Sequence, residues 1–178
     1  MSLEILPIKD LQNTSKKHEK LNPILPKPPF LMVLLAPVRS GKSTMIMNLL
    51  YNKAFYRGYF DKVIIFSPSI ENDITMRFAN SDEDIIKISD NLSNADEIFE
   101  SLIESKMEDE ETVDEEWLII FDDCLGIIKK DGYITNFTSR YRHKNISLIF
   151  SCQLFRKLPP VIRTNATSYI IWQNANQK

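Results

Sequence analysis

The chain has 178 residues, of which 43% are apolar, and a formal net charge of −2 at pH 7. These values predict one domain with a sizeable core. The longest apolar runs fall well short of the roughly 20 residues of a membrane span, and the N-terminus lacks an apolar stretch, so we expect neither a membrane anchor nor a signal peptide. Cys124 and Cys152 each follow an apolar run, which favours buried free thiols in a reducing compartment over a disulfide or a metal site.

Charge is distributed unevenly along the chain. Residues 1–70 carry 10 basic and 4 acidic side chains, residues 71–116 carry 3 and 17, and residues 117–178 carry 9 and 3. The basic parts are suited to a polyanionic partner. Alternatively, the acidic segment is a solvated surface that the basic parts balance. Charge alone does not separate these two interpretations.

Residues 1–29 are polar and punctuated by prolines, which predicts an extended arm with a short helix around residues 10–20. The domain proper is expected at residues 30–178. It begins with the apolar run Phe30–Leu35, the loop Ala36–Ser43 and a helical pattern over Thr44–Leu50. Strand, glycine-containing loop and helix follow one another in the order of a P-loop, which binds nucleotide phosphates through backbone N–H groups.

Each residue type in the loop has a chemical reason. Gly41 lets the backbone wrap closely around an anion, Lys42 neutralises β- and γ-phosphate oxygens, and the Ser43 hydroxyl is a ligand for Mg²⁺. Ala36 stands where such loops usually have a glycine, so we expect the loop to begin differently from the standard form. The predicted ATP-binding residues are Pro37, Val38, Arg39, Ser40, Gly41, Lys42, Ser43 and Thr44.

Strand-length apolar runs follow at residues 61–68, 85–88, 117–121, 146–151 and 168–172, and helical patterns at residues 94–107 and 133–141. The acidic run 108–116 is expected to be an exposed loop. Alternating strands and helices predict an α/β fold with a mostly parallel central sheet. With the P-loop, this is the three-layer fold of a RecA/ASCE-like P-loop NTPase.

Three polar residues follow strand ends and are expected at one sheet edge with the loop. We assign Asp122 to the Mg²⁺ shell and Asp123 to the attacking water, although the opposite order also fits the motif. Gln153 is assigned to sensing the γ-phosphate. A helix-capping aspartate pair and a buried polar residue at a strand end are the structural alternatives.

Residues 123–126 also match D-x-x-G, a phosphate-sensing motif of GTPases. No guanine-reading [NT]-K-x-D sequence follows the P-loop, and two other predicted strands separate Lys42 from Asp122. This wide separation favours an ATPase in which the strand at residues 146–151 is inserted between the P-loop strand and the carboxylate strand.

The stretch Arg142–Gln153, followed by Leu158–Pro159 and Ile162–Asn165, resembles the genome-packaging ATPases of large nucleocytoplasmic DNA viruses and their virophages. These are the poxvirus-type packaging ATPases of the FtsK–HerA superfamily. With the P-loop and the aspartate pair, the resemblance covers about residues 30–172. Such ATPases usually carry a further C-terminal helix, so we expect the domain to be shortened at that end.

The resemblance implies a homo-oligomeric ring that hydrolyses ATP with Mg²⁺ and moves double-stranded DNA into a viral capsid. It also implies a location in the viral factory of the host cytoplasm or in the virion. An arginine from the neighbouring subunit would stabilise the γ-phosphate charge, with Arg142 favoured and Arg163 next. DNA phosphates would be contacted by Lys129–Lys130 or Arg156–Lys157.

Two other classes of function remain open from the sequence. One is a different P-loop enzyme, such as a helicase or a small-molecule kinase. The other is a non-catalytic scaffold that binds a nucleotide. Stimulation of ATP hydrolysis by DNA distinguishes the packaging motor from a kinase and from a scaffold.

Overall fold

The structure is a computed structural model that describes residues 21–76, 79, 81–90 and 92–172. Within these residues, six strands form one sheet in the order β3-β2-β4-β5-β1-β6. Each of the five strand pairings is parallel. The strands are β1 (Leu31–Leu35), β2 (Lys62–Phe66), β3 (Ile85–Ile88), β4 (Trp117–Asp122), β5 (Ile146–Cys152) and β6 (Ser168–Ile171).

The described helices are α1 (Lys42–Tyr51), α2 (Ala95–Glu108), α3 (Tyr133–Phe137) and α4 (Pro160–Asn165). Short 3₁₀ turns lie at Ile74–Met76, Leu92–Asn94, Tyr141–Lys144 and Phe155–Lys157. None of the described helices is long and apolar enough to cross a membrane. The short helix predicted around residues 10–20 lies outside the described residues.

The central strands are apolar on both faces because both faces are covered. Leu31 and Val33 of β1 pack into the core that contains α2, whereas Met32 and Leu34 pack into the core that contains α1. On the α2 side, the ring of Phe121 stacks between those of Phe66 and Phe150, with centroid distances of 4.8 and 5.0 Å. The predicted three-layer α/β architecture is therefore confirmed.

The inserted strand is also confirmed, since β5 pairs with β1 on one side and with β4 on the other. Leu35 is in register with Cys152, and Asp122 is in register with Ser151. The carboxyl ends of the P-loop strand, the inserted strand and the aspartate strand therefore meet at one edge of the sheet.

Most predicted elements agree with the structure, and both cysteines are free and buried as expected. The helix predicted over residues 133–141 is wrong in its second half, because α3 ends at Phe137. The Thr138 and Ser139 hydroxyls donate to the carbonyls of Thr135 and Asn136, at 2.7 and 2.8 Å. Such side-chain bonds to the preceding turn compete with continuation of the helix.

Candidate nucleotide-binding and hydrolysis site

The loop between β1 and α1 begins as an extension of the sheet. The Ala36 N–H donates to the Cys152 carbonyl at 3.0 Å, and Ala36 is buried. The backbone φ angle is positive at Arg39 (59°) and Gly41 (95°), not at Ala36. The conformation that favours glycine is therefore needed at the end of the loop, and an alanine at its start causes no strain.

Helix α1 starts directly after this loop, with Gly41 at its N-cap position. No side chain caps the helix, and its first turn carries no acidic residue. Its first N–H groups therefore lack the usual intrahelical and side-chain acceptors, and the positive end of the helix dipole points into the loop. These are the conditions for binding a phosphate.

A cavity of about 410 Å³ lies over the loop, within the size range of small-molecule sites. It is lined by Pro37, Val38, Arg39, Gly41, Lys42, Ser43, Thr44, Asp73, Thr75, Asp123 and Gln153. Seven of the eight predicted ATP-binding residues are in this set. The exception is Ser40, whose hydroxyl donates to the Pro37 carbonyl at 2.6 Å and so braces the loop from within.

Three of the predicted residues form one polar cluster at the sheet edge. The side chain of Lys42 is only 7% exposed. Its Nζ atom lies 3.0 Å from Oδ1 and 3.4 Å from Oδ2 of Asp123. Nε2 of Gln153 lies 3.4 Å from both of these oxygens. The structure thus brings together a cation, a carboxylate and an amide beside the cavity.

Asp122 lies beneath this cluster and is only 3% exposed. Burial raises the pKa of its carboxyl group; the nearby Asp123 and Asp73 charges act in the same direction, and the Ser151 hydroxyl acts against them. Its Oδ2 is 3.5 Å from the Ser67 hydroxyl, whereas its Oδ1 has no hydrogen-bond partner among the described residues. A buried, unpaired carboxylate oxygen of this kind is suited to a cation or its water shell.

Asp73 is a site residue that the sequence did not reveal. It belongs to the polar segment after β2, and its Oδ2 accepts a hydrogen bond of 2.7 Å from the Ser43 hydroxyl. The oxygens of Ser43 and Asp122 are of the kind that suits Mg²⁺, which prefers carboxylates, phosphates and water. The described residues contain no cluster of three or more His, Cys, Asp or Glu able to hold a metal ion by themselves.

The two candidate arginines do not line the cavity. Arg142 lies in the turn before β5, at the amino end of that strand, and its Nε donates to the Tyr141 hydroxyl at 3.1 Å. A seven-residue strand is about 20 Å long, so Arg142 and the loop lie at opposite edges of the sheet. Arg163 is on α4, with its guanidinium carbon 5.3 Å from the centre of the Phe155 ring.

The parallel sheet with its inserted strand, together with the loop that begins α1, defines the fold as that of the P-loop NTPases of the additional-strand class. A family model described as "Poxvirus A32 protein" matches residues 17–178. The chain belongs to this family, which confirms the resemblance found in its motifs.

Curated relatives of this chain include the DNA packaging protein OPG160 of Variola virus, which is 27% identical over 160 residues. The match covers 88% of this chain and 58% of the relative. OPG160 of Vaccinia virus (strain Copenhagen) is 28% identical over 146 residues, which cover 80% of this chain and 53% of the relative. The chain thus spans a little over half the length of these relatives.

Among solved structures, the genome packaging NTPase B204 from Sulfolobus turreted icosahedral virus 2, in complex with ATP-gammaS, is similar in fold. The TM-score is 0.58 at 20% sequence identity, and the match covers 85% of this chain and 79% of that chain. At this level of identity the similarity concerns the fold alone, and it agrees with the predicted α/β class.

Proposed function

We propose that this chain is the ATP-hydrolysing part of a motor that moves double-stranded DNA into a viral capsid. The observation that carries the proposal is the meeting of Lys42, Asp123 and Gln153 beside the phosphate loop. The curated relatives are named DNA packaging proteins, and the similar B204 structure is a packaging NTPase with a bound ATP analogue.

In the proposed reaction, the backbone N–H groups of residues 39–43 bind the phosphates of ATP. Lys42 moves from Asp123 to the β- and γ-phosphate oxygens, which its ammonium group neutralises. Mg²⁺, when bound, supplies further positive charge to those oxygens, and Ser43 and Asp122 would hold it. Residues of this chain thus fix the γ-phosphate before the attack by water.

Asp123 then has its carboxylate free to orient a water molecule and to accept its proton. The amide of Gln153 lies beside the same carboxylate, and Gln153 lines the same cavity. We assign Asp123 to the water and Gln153 to sensing whether the γ-phosphate is present.

A ring is part of the proposal because neither Arg142 nor Arg163 lines the cavity of its own subunit, and Arg39, which does, belongs to the phosphate loop itself. Arg142 lies at the opposite sheet edge, so it can reach a nucleotide only on a neighbouring subunit. An arginine in this role contributes about 10³–10⁵ in rate. Arg163, held over the Phe155 ring, is the second candidate.

For DNA we propose contacts to phosphates rather than to bases, since a packaging motor must track any sequence. Arg156 and Lys157 are exposed in the turn that starts two residues after Gln153, so this basic segment is close in sequence to the proposed γ-phosphate sensor. Lys129 is a weaker candidate because it lies 4.0 Å from the Asp96 carboxylate.

The proposal has two further parts. The motor binds a component of the viral capsid, and it is located in the viral factory or in the virion.

ATP hydrolysis measured with and without double-stranded DNA tests the function. We expect DNA to stimulate turnover, and Lys42→Ala to abolish it. Lys53→Ala is a matched control, because this exposed lysine follows α1 and does not line the cavity. Phosphorylation of an added acceptor without DNA stimulation would identify a kinase instead. ATP binding with no turnover in an assembled, DNA-bound ring would identify a scaffold.

A further inference from the structure

We infer that Asp73 is a positioning residue that holds the Ser43 hydroxyl in the orientation needed to bind Mg²⁺ together with ATP. The inference rests on the proposed nucleotide site and assigns it an additional residue. Ser43 Oγ lies 2.7 Å from Asp73 Oδ2, although the two residues are 30 positions apart. Asp73 also lines the cavity above the phosphate loop.

The Asp73 carboxylate is held in place by the backbone of the turn that follows it. Its second oxygen, Oδ1, accepts a hydrogen bond of 2.8 Å from the Thr75 N–H, at the start of the Ile74–Met76 turn. Ile70 and Met76, on either side of Asp73, are fully buried in the core that contains α1. One carboxylate oxygen is therefore fixed by the turn, and the other faces Ser43.

The chemistry of a serine hydroxyl explains what this contact does. The hydroxyl has one proton and two lone pairs, and a lone pair can face a cation only when the proton points elsewhere. The Asp73 carboxylate accepts that proton and leaves the lone pairs free. Partners of metal ligands commonly act in this way, and their loss lowers metal affinity by about 10–100-fold.

The sequence predicted that Asp122 is the carboxylate of the Mg²⁺ shell. In the structure, Asp122 and Asp73 occupy different positions around the site. The carboxylate of Asp122 lies 3.5 Å from the Ser67 hydroxyl, the Ser151 hydroxyl acts on it as well, and Asp122 does not line the cavity. The two carboxylates therefore have separate roles: Asp122 lies beneath the site with a free oxygen, and Asp73 holds Ser43 from the side.

Asp73→Asn is the informative variant, because the asparagine oxygen can still accept from the Thr75 N–H. Its NH₂ group then faces Ser43 and engages a lone pair of the hydroxyl instead of its proton. Binding of a fluorescent ATP analogue is measured in EDTA and over a Mg²⁺ titration. We expect no loss of affinity in EDTA and a half-saturating Mg²⁺ concentration about 10–100-fold higher. Glu71→Gln, which alters an exposed carboxylate two residues away, should behave as wild type.

Ser43→Ala and the double variant show whether Asp73 acts through Ser43. Adding Asp73→Asn to Ser43→Ala should change the Mg²⁺ requirement no further. Wild-type Mg²⁺ dependence in Asp73→Asn, or additive effects in the double variant, would overturn the inference. If the ATP affinity of the wild-type protein does not depend on the Mg²⁺ concentration, the metal-binding role of Ser43 is overturned as well. If these Mg²⁺ effects are observed but DNA does not stimulate ATP turnover, the result would count against the proposed motor function and leave the role of Asp73 intact.

Discussion

The ammonium group of Lys42 lies 3.0 Å from the Asp123 carboxylate, so the cation proposed to bind phosphate is paired with the carboxylate proposed to activate water. ATP phosphates and Asp123 compete for the same lysine. Because Asp123 is 35% exposed, water screens the pair, and its strength is at most about 1 kcal/mol. The pair is thus weak enough for ATP to replace it.

Asp123→Asn separates binding from hydrolysis. Without the competing carboxylate, Lys42 is free for phosphate, so ATP should bind up to roughly five-fold more tightly. Turnover should fall at least about 100-fold, because the group that accepts the water proton is lost. Equilibrium binding and steady-state hydrolysis measure the two effects. Asp131→Asn, an equal charge change at an exposed position, should alter neither, and normal turnover in Asp123→Asn would remove Asp123 from this role.

Gln153→Ala should lower kcat by about tenfold or more and leave ATP affinity nearly unchanged. The amide contacts Asp123 at 3.4 Å but is not one of the loop groups that bind phosphate, so its loss affects the reacting geometry rather than binding. Single-turnover kinetics beside equilibrium binding separate the two quantities. An increase in Kd with kcat unchanged would make Gln153 a simple binding residue.

Arg142→Ala should inactivate a homogeneous ring without altering ATP binding. Mixing these subunits with Asp123→Asn subunits should restore part of the activity, since some interfaces then combine an intact carboxylate site with an intact arginine. Hydrolysis is measured over a series of mixing ratios. No recovery at any ratio would count against Arg142, and the same series with Arg163→Ala tests the second candidate.

Asp122→Asn should make the protein more stable while weakening Mg²⁺ binding. The wild-type carboxylate is buried with an unpaired oxygen, and a neutral amide costs less to bury by about 1–3 kcal/mol. The melting temperature should therefore rise by roughly 2–10 °C for a chain of this size. Thermal unfolding without nucleotide at neutral pH measures the effect, with Asp131→Asn as the control. A lower melting temperature would show that the charge is compensated.

The buried thiol of Cys152 gives a prediction about pH. Burial raises its pKa to about 11, so the unreactive thiol is favoured in the folded chain. At pH 8.5, alkylation of Cys152 should be about 100-fold slower in the folded than in the unfolded protein. Because the folded pKa is the higher one, this group's contribution to stability is complete below about pH 8.5 and declines as pH approaches 11. Mass spectrometry after timed alkylation measures the rates, and equal rates in both states would contradict the burial.

The sequence alone predicted the fold and most of the residues that line the cavity above the phosphate loop, because the signals involved are local. Continuous apolar runs indicate strands covered on both faces, and the two predicted strands between Lys42 and Asp122 indicated an inserted strand, which is β5. Asp73 was not predicted, because its contact with Ser43 joins a polar loop to a helix and leaves no periodic pattern. The early end of α3 was missed because the hydroxyl bonds of Thr138 and Ser139 depend on local geometry.

Strand β5 joins two of the proposed functional groups, with Arg142 in the turn before its first residue and Gln153 just after its last. All seven of its residues are buried between neighbours on both sides, so the strand is a stiff connection between the two groups. In the proposed ring, a shift of Gln153 on loss of the γ-phosphate would therefore displace the arginine offered to the next subunit. ATP hydrolysis in one subunit would then promote hydrolysis in the next subunit. The subunits of the ring would therefore hydrolyse ATP one after another.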